Sequence, residues 1–198
     1  MSRPQVTASA DTDSDDRLLA RMRADDTAAY RLLVERHIDR AFGLALRVLK
    51  NAADAEDVTQ EAFVKAWQKR HDWQEGRAKF STWLYRVIVN ACIDQLRGPR
   101  GENLEDVPEP RDEGEDAVSS IHRQQVVLQL DKALARLPAP QRAAITLSYH
   151  EGLSNKEIAE VMGTSLFAVE SLLKRGRQRL RELLKRAEGD VRSMLAGD

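Results

Sequence analysis

Cysteine occurs once in this 198-residue chain, at Cys92, so no internal disulfide can form and a cytoplasmic setting is natural. Glycine and proline are scarce, at 10 and 6 residues, which favours helices over turn-dense β structure. No apolar run approaches the roughly 18–20 residues that would span a bilayer. Met1 to Asp16 is polar and acidic without an apolar core, which predicts a short disordered lead-in over 1–12 rather than a secretory signal. His37, His71, His122 and His150 stand at no metal-ligand spacing with one another or with Cys92. Phosphate-binding loops, dinucleotide fingerprints and nucleophile motifs are also missing. The chain is therefore expected to carry no cofactor, no metal and no enzymatic activity. Nor is there a basic excess. With 31 Lys and Arg against 32 Asp and Glu the net charge is −1, which argues against a chain that binds nucleic acid unaided.

What is present is apolar content of 42% beside charged content of 32%, the balance of a soluble, helix-rich protein. The charge is segregated. Glu102, Glu105, Asp106, Glu109, Asp112, Glu113, Glu115 and Asp116 form an acidic run, broken only by Arg111. Lys174, Arg175, Arg177, Arg179, Arg181, Lys185 and Arg186 form a basic one. The acidic run follows a helix stop at Arg97-Gly-Pro-Arg-Gly101, holds Pro108 and Pro110, and has few apolar residues. Residues 98–118 thus read as a flexible linker between two all-α domains, 13–97 and 119–188, with a tail over 189–198.

Four helices are expected in the first domain. Ser14 caps a short one carrying Leu18, Leu19 and Met22. A longer one starts near Asp26 or Thr27, with Tyr30, Leu33, Val34, His37, Ala41, Leu44, Ala45 and Val48 at the helical period. His37 on that stripe reads as a satisfied core residue rather than a ligand. After a turn over Asn51 to Asp54, Asp54 is expected to cap a third helix, with Glu56 and Asp57 where the helix dipole favours acids. Val58, Ala62, Phe63, Ala66 and Trp67 form its buried side. Phe80-Ser-Thr82 opens a fourth helix through Leu96, with Leu84, Val87, Ile88, Ala91 and Cys92 apolar.

The second domain should begin with helices over Ile121–Arg136 and Gln141–His150, separated by Leu137-Pro-Ala-Pro140 and ended by Gly152. Ser154-Asn-Lys-Glu157 is a capping box for a short helix to Met162. Gly163 then makes a tight turn, and Ser165 caps a last helix from Leu166 to about Ala187. A short capped helix, a glycine turn and a second capped helix that becomes basic is the arrangement that lays a recognition helix in the major groove. Ile158, Ala159 and Met162 would pack on Val169, Leu172 and Leu173. Ser165, Phe167, Ala168, Glu170, Ser171 and Lys174 would then face base edges, and Arg175, Arg177 and Arg179 would address phosphates. The alternative is an ordinary helical hairpin with a solvated basic tail.

Three stretches together resemble one family. Gly152-Leu-Ser-Asn-Lys-Glu-Ile-Ala159, Met162-Gly163, and Ser165 with Val169, Ser171 and Arg175-Gly-Arg177 are similar to the C-terminal domain of extracytoplasmic-function sigma factors. Leu137-Pro-Ala-Pro-Gln-Arg142 resembles the usual approach to that motif. Asp54-Ala-Glu-Asp-Val-Thr-Gln-Glu-Ala-Phe-Val-Lys-Ala-Trp67 looks like the sigma segment that docks on core RNA polymerase. Phe80-Ser-Thr-Trp-Leu-Tyr-Arg-Val-Ile-Val-Asn-Ala-Cys-Ile-Asp94 looks like the segment that reads and melts the downstream promoter element. The resemblance spans Asp13 to Lys185.

Each motif has a physical counterpart. Asp54, Glu56, Asp57, Gln60, Glu61 and Lys65 give the third helix an acidic, amide-bearing face suited to an Arg- and Lys-rich partner, by resemblance the coiled coil of the largest polymerase subunits. Solvent alone is the other reading of that face. Phe80, Trp83, Arg86, Asn90, Asp94 and Arg97 offer the stacking, edge-reading and phosphate-neutralising groups that melted DNA requires. The alternative is that Trp83 and Tyr85 are partly core, a reading that for Tyr85 stands level with DNA contact. The family often has basic residues where Glu170 and Leu172 stand. Glu170 either accepts from a cytosine amino group or pairs with Lys174 at i, i+4. The resemblance implies core polymerase, promoter DNA in duplex and melted form, and an anti-sigma factor as partners, in a stress or envelope response. A regulator that binds DNA without polymerase, and a mimic that sequesters anti-sigma factors, are the rival readings.

Overall fold

The computed structural model describes residues 14–73, 79–98 and 127–195. The expected lead-in, nearly all of the acidic linker, the start of the helix expected from Ile121 and the last three residues lie outside them. The described chain is helical throughout apart from short connections. In order come α1 (Asp15–Arg23), α2 (Thr27–Leu49), α3 (Ala52–Gln68), a single 3-10 turn at Arg70–Asp72, and α4 (Phe80–Arg97). The second half contributes α5, described over 127–135, α6 (Ala139–Tyr149), α7 (Asn155–Met162) and α8 (Leu166–Leu195).

The helix starts follow from their caps. The Ser14 hydroxyl accepts from the Arg17 amide, and Asp26 accepts from Ala28 and Ala29 at 2.9 and 3.1 Å. The third helix corrects the sequence expectation. Its cap is Asn51, whose side-chain oxygen accepts from the Asp54 amide at 3.0 Å, so Asp54 lies in the first turn and not at the cap. Asparagine caps as well as aspartate, and the earlier start adds most of a turn of backbone bonds. α6 likewise begins at Ala139 rather than Gln141. Proline is tolerated in a first turn, and the Pro138 carbonyl accepts from both Gln141 and Arg142. α8 runs eight residues beyond its expected end.

In the first half α2 is the central element, with α1, α3 and α4 packed around it. Leu33, Leu44, Val48, Ala62, Phe63, Leu84 and Ile88 are buried between them, at roughly 1.5–3 kcal/mol for each large side chain. His37 is half-buried, bonded to Asp15 at 2.8 Å with its ring edge-on to Phe80, as befits a satisfied core residue.

The second half does not stand apart. α6 touches α2, α4, α7 and α8, and Arg142 through Leu147 are buried on every side of the helix. The apolar cores of the two halves are therefore continuous. Arg142, itself buried, donates from Nη1 to the Val48 carbonyl at 2.7 Å and from Nη2 to the Leu137 carbonyl at 3.2 Å. At the edge Lys50 pairs with Asp131 at 2.8 Å. Gly176 allows α8 to approach α6. A Cβ there would stand 2.7 Å from the Ile145 Cδ1 atom.

Cys92 lies fully inside this core, and burial pushes its thiol up to about 12. The folded protein thus keeps its proton at pH values where the unfolded chain, near 9, loses it. Stability falls as pH rises from about 9 towards 12, because the unfolded state there binds fewer protons. Maleimide labelling of Cys92 at pH 8 is expected to wait on unfolding and to become fast in denaturant; rapid labelling of the native protein would contradict this burial.

Candidate nucleic-acid interface

The helix-turn-helix is held by local chemistry. Ser154 accepts from the Glu157 amide through its hydroxyl, and the Glu157 carboxylate accepts from the Ser154 amide at 2.9 Å and from its hydroxyl at 2.8 Å. Those bonds hold the Glu157 carboxyl below the usual carboxylate range. Gly163 takes φ +62°, a left-handed conformation that a side chain would strain, and its amide closes the last turn of α7. The Ser165 hydroxyl accepts from Ala168 at 3.2 Å and starts α8. Ile158, Val161, Val169 and Leu173 are buried between α7 and α8, with Ala159, Met162 and Leu172 beside them, so the angle of the pair is fixed by packing. Ser154→Ala is expected to cost about 1 kcal/mol of stability, the usual loss for a serine cap, read from urea titrations. An unchanged midpoint would remove the capping box from the account.

The buried seam of α8 (Val169, Leu173, Gly176) sets its outer face. Diametrically opposite lie Phe167, Ser171, Lys174 and Gln178, spaced i, i+4, i+7 and i+11. Glu170 and Arg177 flank this stripe on one side, Ala168 and Arg175 on the other. Lys174, Arg175, Arg177 and Arg179 are exposed, as are Ser165 and Glu170. The Arg175 and Arg177 guanidinium groups also donate back to the Ser171 and Leu173 carbonyls. Among the described residues no ion pair joins Glu170 to Lys174.

α4 presents a second stripe. Trp83, Arg86, Asn90, Asp94 and Arg97 fall on one side of the helix, with all but the half-buried Trp83 exposed. Trp83 rests edge-on against Trp73 at 5.4 Å and over Phe80 at 6.1 Å, so its ring is braced rather than free. Two aromatic expectations change. Phe80, read as a DNA contact, is only 1% exposed and packs with His37, Trp73 and Trp83, which leaves it as the support beneath Trp83. Tyr85, left open between core and contact, points away from the stripe. It is buried, and its hydroxyl donates to Glu151 at 2.9 Å. Burial, then the Glu151 carboxylate, push the phenol well above its ordinary range. Arg86 extends over the helix-turn-helix, 3.2 Å from where a Cβ on Gly163 would stand.

The third surface is the outer side of α3. Glu56, Asp57, Gln60, Glu61 and Lys65 are exposed and Asp54 is partly so. Lys65 approaches Glu61 at 3.5 Å, a weak surface pair. Val64, 52% exposed, lies among Asp57, Gln60, Glu61, Lys65 and Gln68 in one shallow depression.

Residues 33–101 match the family model for sigma-70 region 2, and residues 128–180 match that for sigma-70 region 4. The RNA polymerase sigma-H factor of Pseudomonas aeruginosa is 32% identical over 184 residues, covering 87% of this chain and 95% of that protein. The chain belongs to the extracytoplasmic-function group of sigma factors. The ECF sigma factor SigE of Mycolicibacterium smegmatis is 37% identical over 163 residues. That match takes in 80% of this chain, and the chain spans 63% of that relative's length. The solved complex of the sigma factor RpoE with the anti-sigma factor NepR from Bartonella quintana superposes with a TM-score of 0.62 at 26% identity. It covers 79% of this chain and 96% of that one. In this sigma factor the region 2 match contains α3 and α4, and the region 4 match contains α7 and the first half of α8.

Sequence reasoning missed three residues of this sigma factor's surfaces and packing. Val64 breaks the polar pattern of α3, and an apolar residue at an outer position of that helix was the signal available. Gln178 completes the outer stripe of α8 and follows from the i, i+4, i+7, i+11 spacing once Val169 and Leu173 are taken as core. Arg142 belongs to the Leu137-Pro-Ala-Pro-Gln-Arg142 stretch of the resemblance, but its burial gave no signal, since a lone arginine beside an apolar run looks like a helix-flanking surface residue.

Proposed function

We propose that the chain directs core RNA polymerase to specific promoters as a non-enzymatic specificity subunit, with residues 13–97 docking on the enzyme and opening the downstream element and residues 119–188 reading the upstream element as duplex. Residues 98–118 act as the linker between them. One observation carries this reading above the others. A single chain holds an acidic face on α3, a braced aromatic with polar and cationic groups on α4, and a capped helix-turn-helix whose outer stripe carries Lys174 between the exposed Arg175 and Arg177.

In this reading Asp54, Glu56, Asp57, Gln60, Glu61 and Lys65 meet basic groups of the largest polymerase subunits. Trp83 stacks on an extruded base, a step that costs a few kcal/mol of unstacking, while Asn90 and Asp94 read edges and Arg86 and Arg97 neutralise phosphates. Ser165, Phe167, Ala168, Glu170, Ser171 and Lys174 face base edges of the upstream element, and Arg175 and Arg177 hold its backbone. Two weak modules fixed on one polymerase gain affinity through effective concentration, which suits a chain of net charge −1.

The protein works in the cytoplasm, where polymerase is. Among the described residues no helix is long and apolar enough to cross a membrane. An anti-sigma factor holds it inactive until an envelope or other stress. That part of the reading is supported by the likeness to a sigma factor solved with its anti-sigma factor. Purified core polymerase with this protein should give start-site-specific transcripts on genomic fragments that core alone does not. Transcripts absent across many templates while core binding persists would favour the anti-sigma-sequestering mimic.

A further inference from the structure

Phe167 is 78% exposed, the most exposed of the large apolar side chains among the described residues. It is the second residue of α8, within the first turn after the Ser165 cap, on the side diametrically opposite the buried seam. Among the described residues nothing covers it. It lies beside Ala168, Ser171, Lys174, Arg175 and Gln178 in a shallow, mainly apolar depression. Cations rim that depression, and the exposed Arg177, Arg179 and Arg181 continue along the helix. An apolar tip inside a cationic rim is complementary to duplex DNA in one specific way. The major groove is walled by phosphates, and its most prominent apolar feature is the C5-methyl group of thymine.

The spacing along α8 agrees. Recognition helices meet base edges with their N-terminal residues, and helical side chains lean towards the N-terminus, so Phe167 is the deepest group on the stripe. Ser171 follows about 6 Å further along the axis and Lys174 about 10 Å. These distances are close to two and three base-pair steps of roughly 3.4 Å. Serine accepts or donates to any base, and lysine reaches guanine or a phosphate. Phe167 alone among the three has no polar atom with which to read a base.

We propose that Phe167 is a specificity-determining residue of the upstream element and selects a thymine by contact with its methyl group. This rests on the promoter-reading assignment of the helix-turn-helix and adds to it the base and the atom that are read.

The test uses the full chain with core polymerase and two promoter libraries randomised over the upstream element, identical except that one carries thymine and the other uracil. Uracil keeps every hydrogen-bonding edge and lacks only the methyl. The wild-type holoenzyme should select thymine at one position and prefer it over uracil there by about fourfold, the worth of one buried methyl-sized group. Phe167→Ala should lose that contrast while still enriching the rest of the element, and Phe167→Leu should keep most of it. Both variants are expected to fold, since the side chain is largely exposed. Equal selection from both libraries by the wild type would overturn the proposal, and so would a thymine–uracil contrast that survives in Phe167→Ala. If Phe167→Ala instead loses binding to core polymerase with no change in base preference, the residue serves a protein partner and the proposal fails. No enriched sequence in either library would overturn the promoter reading itself.

Discussion

Reversing charge on the outer face of α3, as Asp57→Lys with Glu61→Lys, is expected to weaken binding to core polymerase by at least about 100-fold. The two carboxylates stand four residues apart on one face, both exposed, on either side of the same depression as Val64. Against a basic partner each makes a favourable contact, and each lysine would set like charges together, which costs several kcal/mol at a close interface. A combined loss of roughly 3 kcal/mol already exceeds a hundredfold. The fold should not suffer, since exposed substitutions away from caps and core usually change stability by less than about 0.5 kcal/mol. Fluorescence titration of labelled protein with core polymerase reads the affinity, and a melting curve checks the fold. An affinity within a few fold of wild type would show that this acidic face is only solvated.

The second large effect is on stability. Arg142→Met should lower stability by about 2–4 kcal/mol, since two charge-assisted hydrogen bonds are lost and two carbonyls are left without their donor. For a chain of this size that is a fall in melting temperature of about 5–12 °C. Burial disfavours the charged guanidinium and lowers its proton affinity, yet an arginine stays charged at any physiological pH. The Val48 and Leu137 carbonyls are what compensate that charge. Arg142→Lys should recover only part of the loss, because one ammonium group cannot reproduce the planar fork that reaches both carbonyls. Methionine matches the length of the stem, so a melting temperature unchanged in Arg142→Met would mean that packing alone joins α6 to α2.

Arg142 also marks what periodicity could and could not reveal. The stripes of α2, α3 and α4 were legible because an amphipathic helix declares its buried side at spacings of three and four. Leu33, Leu44, Val58, Ala62 and Ile88 all fall where that period puts them. The helix-turn-helix was legible for a different reason. Ser154, Glu157, Gly163 and Ser165 act through local backbone chemistry that needs no distant partner. Residues whose environment comes from elsewhere in the chain were not legible. Phe80 opens α4 with solvent on one side by period alone, but His37 and Trp73 close over it. Tyr85 sits on the far side of α4 from Trp83, and only the arrival of Glu151 from the second half decides its role. Asn51 shows the limit even of local signals. Two good capping residues lay three positions apart, and the sequence alone did not rank the helix starts that each allowed.

The packing of the two halves bears on mechanism. In this arrangement Tyr85 and Arg86 of α4, the helix proposed to read the downstream element, lie against Glu151 just before the helix-turn-helix and Gly163 at its turn. The remaining stripes of α4 and α8 stay open to solvent. Under the proposed function both stripes must engage DNA at once, with polymerase setting their separation.

The most direct test of the account is therefore DNA binding measured as a three-way comparison. One promoter fragment that supports transcription would be titrated with the protein alone, with core polymerase alone and with both, at the same salt. The account predicts sequence-specific binding only when both are present, with the isolated protein at least a hundredfold weaker. Tight, salt-sensitive, sequence-specific binding by the protein alone would contradict it, and would place the chain among regulators that read DNA without polymerase.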